Sequence, residues 1–165
     1  MRILHLLLAT SLFVAFACFT VPSMAADSAI RLTNMAQVEI EVVGRDGKKM
    51  LKRTPVQKAI PATEVIYTTT FENVADKPVG NIVINNPIPN DSEYRAGSAF
   101  GRDCAILFSA DGGKAFGMAE YLKVKAVDGK ERAALPREYT HIRWTYKGQL
   151  AVGKSGEVGF RTVIK

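Results

Sequence analysis

The chain has 165 residues, enough for one domain built around a single hydrophobic core. Hydrophobic residues make up 47% of it, with many in the first 25 positions, and 22 basic residues exceed 16 acidic ones for a formal net charge of +6. This composition excludes a polytopic membrane protein and an intrinsically disordered chain.

Residues 1–25 have the organisation of a secretory signal peptide. Arg2 precedes an almost unbroken apolar run that ends at Val21, and Ser23 and Ala25 supply the small residues typical of a cleavage site. The alternatives are an uncleaved membrane anchor and a lipoprotein modified at Cys18. We expect cleavage, a periplasmic or secreted protein with no integral membrane segment afterwards, and a short N-terminal extension over residues 26–36.

Residues 37–165 are predicted to form one all-β domain. Apolar residues alternate with polar ones in several segments, which is the period of a strand with one core face and one wet face. In the first of these segments, Val38, Ile40 and Val42 are the predicted core residues. The remaining predicted strands lie around residues 64–71, 81–85, 94–97, 105–109, 122–126, 141–146 and 158–164.

Turn sequences separate these segments, and no stretch after residue 25 has a helical apolar stripe. Asp46-Gly47, Asp111-Gly112-Gly113 and Asp128-Gly129 suit the positive φ of tight hairpins. Many short strands with regular turns favour an immunoglobulin-like antiparallel β-sandwich of about seven to nine strands, in a single copy.

A basic run follows the first predicted strand. Its five positive side chains are Arg45, Lys48, Lys49, Lys52 and Arg53. One interpretation is a solvated edge whose charges discourage aggregation between sheets. The other is a contact with anionic envelope material such as lipopolysaccharide, acidic polysaccharide or phospholipid headgroups. We expect no nucleic-acid binding, because no stripe of aromatic residues accompanies the charge.

The run YTTTFENVADKPVGNIVINNPIPNDSEYRAGSA (67–99) resembles the bacterial cell-envelope repeat domain catalogued as domain of unknown function 11. Residues 107–117 and 139–164 are similar to that family's second half, so the likeness covers Gly44 to Lys165. The matching positions are Tyr67, Phe71, Asn73, Val79, Ile82, Ile84, Pro87, Ile88, Pro89, Tyr94, Gly97 and Ser98. The resemblance implies an immunoglobulin-like domain of the cell envelope.

The motif has a structural interpretation of its own. Pro87 and Pro89 are expected to end strand pairing, because proline has no amide donor. Asn86 is expected to hydrogen-bond nearby backbone in an Asx-type turn. The family usually has aspartate at this position, so the neutral amide disfavours a cation site.

The residues that carry catalytic or metal chemistry are few. His141 is the one histidine outside the signal peptide, and a single histidine cannot form a histidine metal cluster. It is expected on the solvent face of its strand. A serine–histidine–acid triad would also lack the G-x-S-x-G elbow. Cys104 is the one cysteine after cleavage, so no internal disulfide can form, and it is either a buried small residue or a reactive thiol. Trp144, which alternates with polar residues together with Ile142 and Tyr146, is expected to be a core residue, and the alternative is a platform for stacking carbohydrate.

The sequence therefore predicts a non-catalytic exported envelope protein with no catalytic residues, metal or cofactor, acting as a binding or structural module. Its partner would be an anionic envelope component or another envelope protein. The alternative is an assembly component that exchanges strands, such as a pilus-like subunit or a chaperone. The sequence leaves the oligomeric state and the ligand open.

Overall fold

The structure is a computed structural model and describes residues 29–58 and 60–165. The predicted signal peptide lies outside these residues. The described part contains eleven strands and one 3₁₀ turn, Pro136–Glu138, and no α-helix. The strands are β1 (Ile30–Val43), β2 (Lys49–Pro55), β3 (Glu64–Asn73), β4 (Val83–Pro87), β5 (Ser92–Tyr94), β6 (Phe100–Gly101), β7 (Cys104–Ser109), β8 (Lys123–Lys125), β9 (Glu131–Ala133), β10 (His141–Tyr146) and β11 (Ser155–Ile164).

The larger sheet has the strand order β2-β1-β3-β11-β5, and β6 pairs with β11 beside β5. All of these pairings are antiparallel. The central strands β3 and β11 are paired from Glu72↔Ser155 to Glu64↔Val163, so the final strand of the chain lies in the middle of this sheet. Tyr67 and Phe160, which face each other across this pairing, stack with ring centroids 5.2 Å apart.

The smaller sheet has the antiparallel order β4-β10-β7 and faces β3 and β11 across a shared core. Trp144 in β10 is completely buried, and its indole Nε1 donates a hydrogen bond of 2.9 Å to the carbonyl of Phe100. The prediction that Trp144 is a core residue is confirmed. Phe71, Val158 and Phe160 supply the opposing side of the core.

Several strand boundaries in the structure differ from those predicted from the sequence. Residues 30–36, predicted as an extension, form the first half of β1 and pair with β3, so the boundary predicted at residue 37 falls inside a strand. The strand predicted at residues 94–97 is Ser92–Tyr94, because the chain turns at Gly97 with φ at 73°. Pro87 belongs to β4, where it does not break the ladder because β4 is an edge strand and proline needs no donor on that side.

The Asx-type turn predicted for Asn86 is wrong. Its side chain points toward the larger sheet, because it shares the inner face of β4 with Ile84. The amide Nδ2 donates a hydrogen bond of 2.7 Å to Thr69 Oγ1, and that hydroxyl donates a bond of 2.6 Å to Asn34 Oδ1. This chain of hydrogen bonds links β4 to β3 and β1 across the two sheets.

Candidate binding surface

The basic run predicted from the sequence lies on a hairpin that extends past the end of the larger sheet. The pairing of β1 with β3 ends at Gln37↔Ile66, whereas its pairing with β2 continues from Gln37↔Pro55 to Val43↔Lys49. Residues 38–55, here called the arm, therefore form a two-stranded ribbon with β3 no longer paired beside it. The turn at its tip contains Gly47, whose φ of 78° suits the tight hairpin predicted there.

The arm has two faces of different chemistry. Val38, Ile40, Val42 and Met50 share the first, here called the apolar face, together with Lys52 opposite Ile40 and Thr54 opposite Val38. This face continues the core side of the sheet, since Ala36 lies opposite Tyr67, which packs against the core. Glu39, Glu41, Val43, Lys49, Leu51 and Arg53 share the second, here called the ion-paired face.

Three of the five basic side chains in the predicted contact surface form ion pairs within the arm. Lys49 Nζ lies 2.7 Å from Glu41 Oε1, and Arg53 Nε lies 3.2 Å from Glu39 Oε1. Lys48 Nζ lies 3.7 Å from Asp46 Oδ2 in the turn. In the described part of the chain, Arg45 and Lys52 have no ion pair.

These pairs leave the arm with excess positive charge. Its three carboxylates are all paired with cations of the arm, while five cations give it a net charge of +2. The charge that remains for a partner is therefore concentrated on Arg45 in the turn and Lys52 on the apolar face.

An ion-pair network fixes the base of the arm to the sandwich. The two terminal nitrogens of Arg161 donate hydrogen bonds of 2.9 and 3.0 Å to the Glu39 carboxylate, and Nη1 also donates one of 2.8 Å to Glu64. These hydrogen bonds lower the pKa of Glu39, chiefly through Arg161, and raise the pKa of Arg161. Arg161 thereby ties β1 to β3 and β11 just where β1 leaves β3.

A shallow concavity of about 600 Å³ adjoins the apolar face at the base of the arm. Val38 and Ile40 lie along one side of it, and Thr54, Pro55, Gln57 and Lys58 line the rest. Lys58 is exposed and places another positive charge beside this apolar surface.

The exposure of the apolar face was not predicted from the sequence. Ile40 was expected in the core, yet 43% of it is exposed, and Met50 is 53% exposed. The alternation that predicted a core strand is real, but the smaller sheet does not extend over this part of β1. The signal for a hairpin in the sequence was the Asp46-Gly47 turn together with the short segment after it that forms β2.

A serine, a histidine and an acidic residue lie close together near the end of β7, but they are hydrogen-bonded differently from a catalytic triad. Ser109 lies opposite His141 in the pairing of β7 with β10, yet its hydroxyl donates a 2.6 Å hydrogen bond to Asp111 Oδ1. His141 Nδ1 lies 3.2 Å from Thr140 Oγ1, and a Cβ added at Gly113 would contact the imidazole at 3.3 Å. His141 is therefore half-buried under the 111–117 loop instead of fully solvated.

Cys104 is half-buried at the start of β7. Its Sγ donates a hydrogen bond of 3.4 Å to the Arg102 carbonyl, and burial raises the pKa of the thiol. A raised pKa reduces the thiolate population, which is the nucleophilic form. Within the described residues, no group of three or more histidine, cysteine and acidic side chains could hold a metal ion.

An aromatic pocket of about 260 Å³ is a second concave feature that the sequence did not indicate. Tyr94, Phe108 and Tyr139 form its floor, with ring centroids 4.8 to 5.8 Å apart. Both phenolic oxygens are used inside the protein, since Tyr94 accepts a hydrogen bond from the Ala99 amide and Tyr139 donates one to the Ala119 carbonyl. The pocket therefore offers mainly aromatic rings and apolar side chains.

Comparison with known proteins adds no family assignment. No protein-family model matches the chain, and no curated protein matches it significantly. Among the described residues, none belongs to a helix long and apolar enough to cross a membrane.

Proposed function

We propose that this protein is an exported, non-catalytic module of the cell envelope that binds an anionic envelope component through the arm. The signal peptide predicted at residues 1–25 supports export. The resemblance of residues 67–99 to the envelope domain of unknown function 11 supports the location. The arm supports binding as the role, because it combines projection from the sandwich with positive charge that the protein does not neutralise itself.

The immunoglobulin-like assignment is part of this proposal at the level of sandwich architecture. In immunoglobulin constant domains the final strand lies beside the penultimate one in the same sheet. Here the final strand, β11, lies between β3 and β5 in the larger sheet, while the penultimate strand, β10, is central in the smaller one. The proposal therefore concerns two facing antiparallel sheets and not the immunoglobulin strand order.

The observation that carries the proposal is the pairing of every carboxylate in the arm. Glu39, Glu41 and Asp46 each contact a cation, so an approaching anion meets no unpaired negative charge there. Arg45 and Lys52 remain available to it. Cations near an anionic surface contribute about 1 kcal/mol each, so these two side chains together contribute about 2 kcal/mol to binding.

Binding to anionic vesicles tests this proposal. We expect the double variant Arg45→Gln/Lys52→Gln to bind vesicles containing phosphatidylglycerol about 30-fold more weakly than the unchanged protein, since two surface cations are lost. The affinity of the unchanged protein for these vesicles should also fall as the salt concentration is raised from low to physiological.

Lys125→Gln/Lys154→Gln is the matched control, because it removes the same net charge from exposed positions outside the arm. The control should retain most of the affinity. An equal loss in both double variants would mean that net charge alone attracts the protein and would remove the arm from the proposal.

A second candidate function, strand exchange with a partner, is favoured by the free edge of β1. In the described residues no strand pairs with the outer side of Arg31–Met35, and Leu32 and Met35 are 51% and 47% exposed there. Such an edge can accept an added strand. Deleting residues 26–36 would be a poor test, because it would also remove the ladder between β1 and β3.

Sedimentation velocity of the unchanged protein and of Leu32→Lys tests this second candidate. Strand addition between copies would give a dimer whose population rises with concentration and falls in the variant, because an edge lysine discourages pairing. Monomers in both proteins at all concentrations would rule out exchange between copies of this chain.

A further inference from the structure

We infer that the arm binds the surface of an anionic lipid bilayer, with the side chains of its apolar face inserted among the lipid headgroups. This inference rests on the proposed function and names the partner of the same surface. It concerns lipid specifically, as opposed to a polysaccharide or a protein.

Exposed apolar side chains are the first reason for choosing lipid. Ile40 and Met50 on the apolar face are 43% and 53% exposed, and Val43 and Leu51 on the opposite face are 66% and 69% exposed. The end of the arm beyond Ile40 thus presents hydrocarbon on both faces. An acidic polysaccharide would pair with the cations but would leave this hydrocarbon in water, whereas a bilayer removes it from water.

The position of the unpaired cations is the second reason. Lys52 lies directly opposite Ile40, and Arg45 lies in the turn at the tip of the arm. A lysine stem can lie along apolar surface while its ammonium group reaches outward to a phosphate. Hydrocarbon and cation are therefore interleaved on one small surface, which complements an anionic headgroup above an acyl chain.

The backbone of the arm limits the depth of insertion. Among the residues that the structure describes, no strand lies beside the outer edge of β2, so the backbone polar groups of that edge need water or headgroups as partners. Unpaired backbone groups are not tolerated in the hydrocarbon interior. The arm should therefore lie in the interface with only its side chains entering the apolar region, and the sandwich should remain outside.

Sedimentation with vesicles of phosphatidylcholine alone and of phosphatidylcholine with phosphatidylglycerol tests the inference. We expect the mature protein to bind the anionic vesicles, and Ile40→Ser/Met50→Ser to weaken that binding at least ~10-fold, since each apolar side chain loses its favourable transfer from water. Met118→Ser/Val127→Ser is the matched control, because it removes two exposed apolar side chains elsewhere and should change binding little. Thermal unfolding of each variant verifies that it is folded.

The variants separate failure of this inference from failure of the proposed function. If Ile40→Ser/Met50→Ser binds like the unchanged protein while Arg45→Gln/Lys52→Gln does not, the arm binds anions without inserting and the lipid inference is overturned. If the unchanged protein binds no anionic vesicle but does bind the soluble polysaccharide part of lipopolysaccharide, the lipid inference is wrong and the proposed function is supported. If it binds neither, both are wrong.

A fluorescence measurement reports insertion directly. An environment-sensitive dye attached at Met50→Cys in a Cys104→Ser background should shift to the blue on anionic vesicles. The same dye at Lys154→Cys, in the exposed turn before β11, should not shift. An unshifted spectrum at position 50 with bound protein would exclude insertion of the apolar face.

Discussion

Replacement of Gly159 by alanine is expected to lower the free energy of unfolding by at least about 3 kcal/mol, at the upper end of the cost of overpacking a core. Gly159 is buried in β11 between β3 and β6. An added Cβ would lie 2.5 Å from the Tyr67 carbonyl oxygen and 2.6 Å from Phe100 Cζ. The Phe100 ring can rotate away, but the Tyr67 carbonyl belongs to the β3 backbone and can move only with the strand.

Chemical denaturation of Gly159→Ala measures this effect, with Gly117→Ala as the control. At Gly117 the nearest atom to an added Cβ is Leu122 Cδ1 at 3.8 Å, an ordinary contact. The control should therefore change stability by less than about 1 kcal/mol. A Gly159→Ala protein as stable as the unchanged one would show that β3, β11 and β6 are not packed as described.

Replacement of Asn73 by alanine is expected to lower the free energy of unfolding by about 3 kcal/mol, because buried polar groups lose their partners. Asn73 is completely buried at the end of β3. Its Nδ2 donates hydrogen bonds to the carbonyls of Lys77 at 2.9 Å and Leu150 at 2.8 Å, and its Oδ1 accepts one of 2.9 Å from the Ala75 amide. One side chain thus joins the turn after β3 to the segment before β11.

Asn73→Asp provides a sharper form of this experiment. The carboxylate can still accept from the Ala75 amide but cannot donate to either carbonyl, so it should be at least as destabilising as alanine at neutral pH. Asn85→Ala is the control, since Asn85 is exposed and only accepts a hydrogen bond of 2.8 Å from Arg143 Nε. Equal stability of Asn73→Ala and Asn85→Ala would contradict the role assigned to Asn73.

The all-β class and most of the core could be predicted from the sequence, because they depend on local periodicity. Ile142, Trp144 and Tyr146 alternate with polar residues, and the structure places them on the inner face of β10. The hairpin at Asp128-Gly129 follows from backbone preference alone, and Gly129 indeed has a φ of 81°. Such features need no knowledge of which strands become neighbours.

The exposed apolar face could not be predicted, because exposure depends on which strands lie opposite. Val38 and Ile40 have the same alternation as Ile142 and Trp144, yet Trp144 is completely buried and Ile40 is 43% exposed. The difference arises because β1 is longer than its ladder with β3, which ends at Gln37. The turn predicted for Asn86 was wrong for a related reason, because its hydrogen-bond partner Thr69 belongs to the other sheet.

The charge of the arm illustrates the same limit. The sequence shows five cations close together, but the partners of two of them, Lys49 and Arg53, depend on the register between β1 and β2. Lys48 pairs with Asp46 inside the turn. The register also places Lys52 opposite Ile40 instead of an acidic residue, whereas Arg45 lies in the turn. Within the described residues, the structure therefore narrows the basic run to two unpaired residues, Arg45 and Lys52, beside an exposed apolar face.

Amide hydrogen exchange with and without anionic vesicles tests the role of the arm most directly. We predict that vesicles slow exchange within residues 38–55 and leave β4, β7 and the aromatic pocket unchanged. Slowed exchange at those other sites with the arm unaffected, while the protein is bound, would contradict the assignment of the arm as the binding surface.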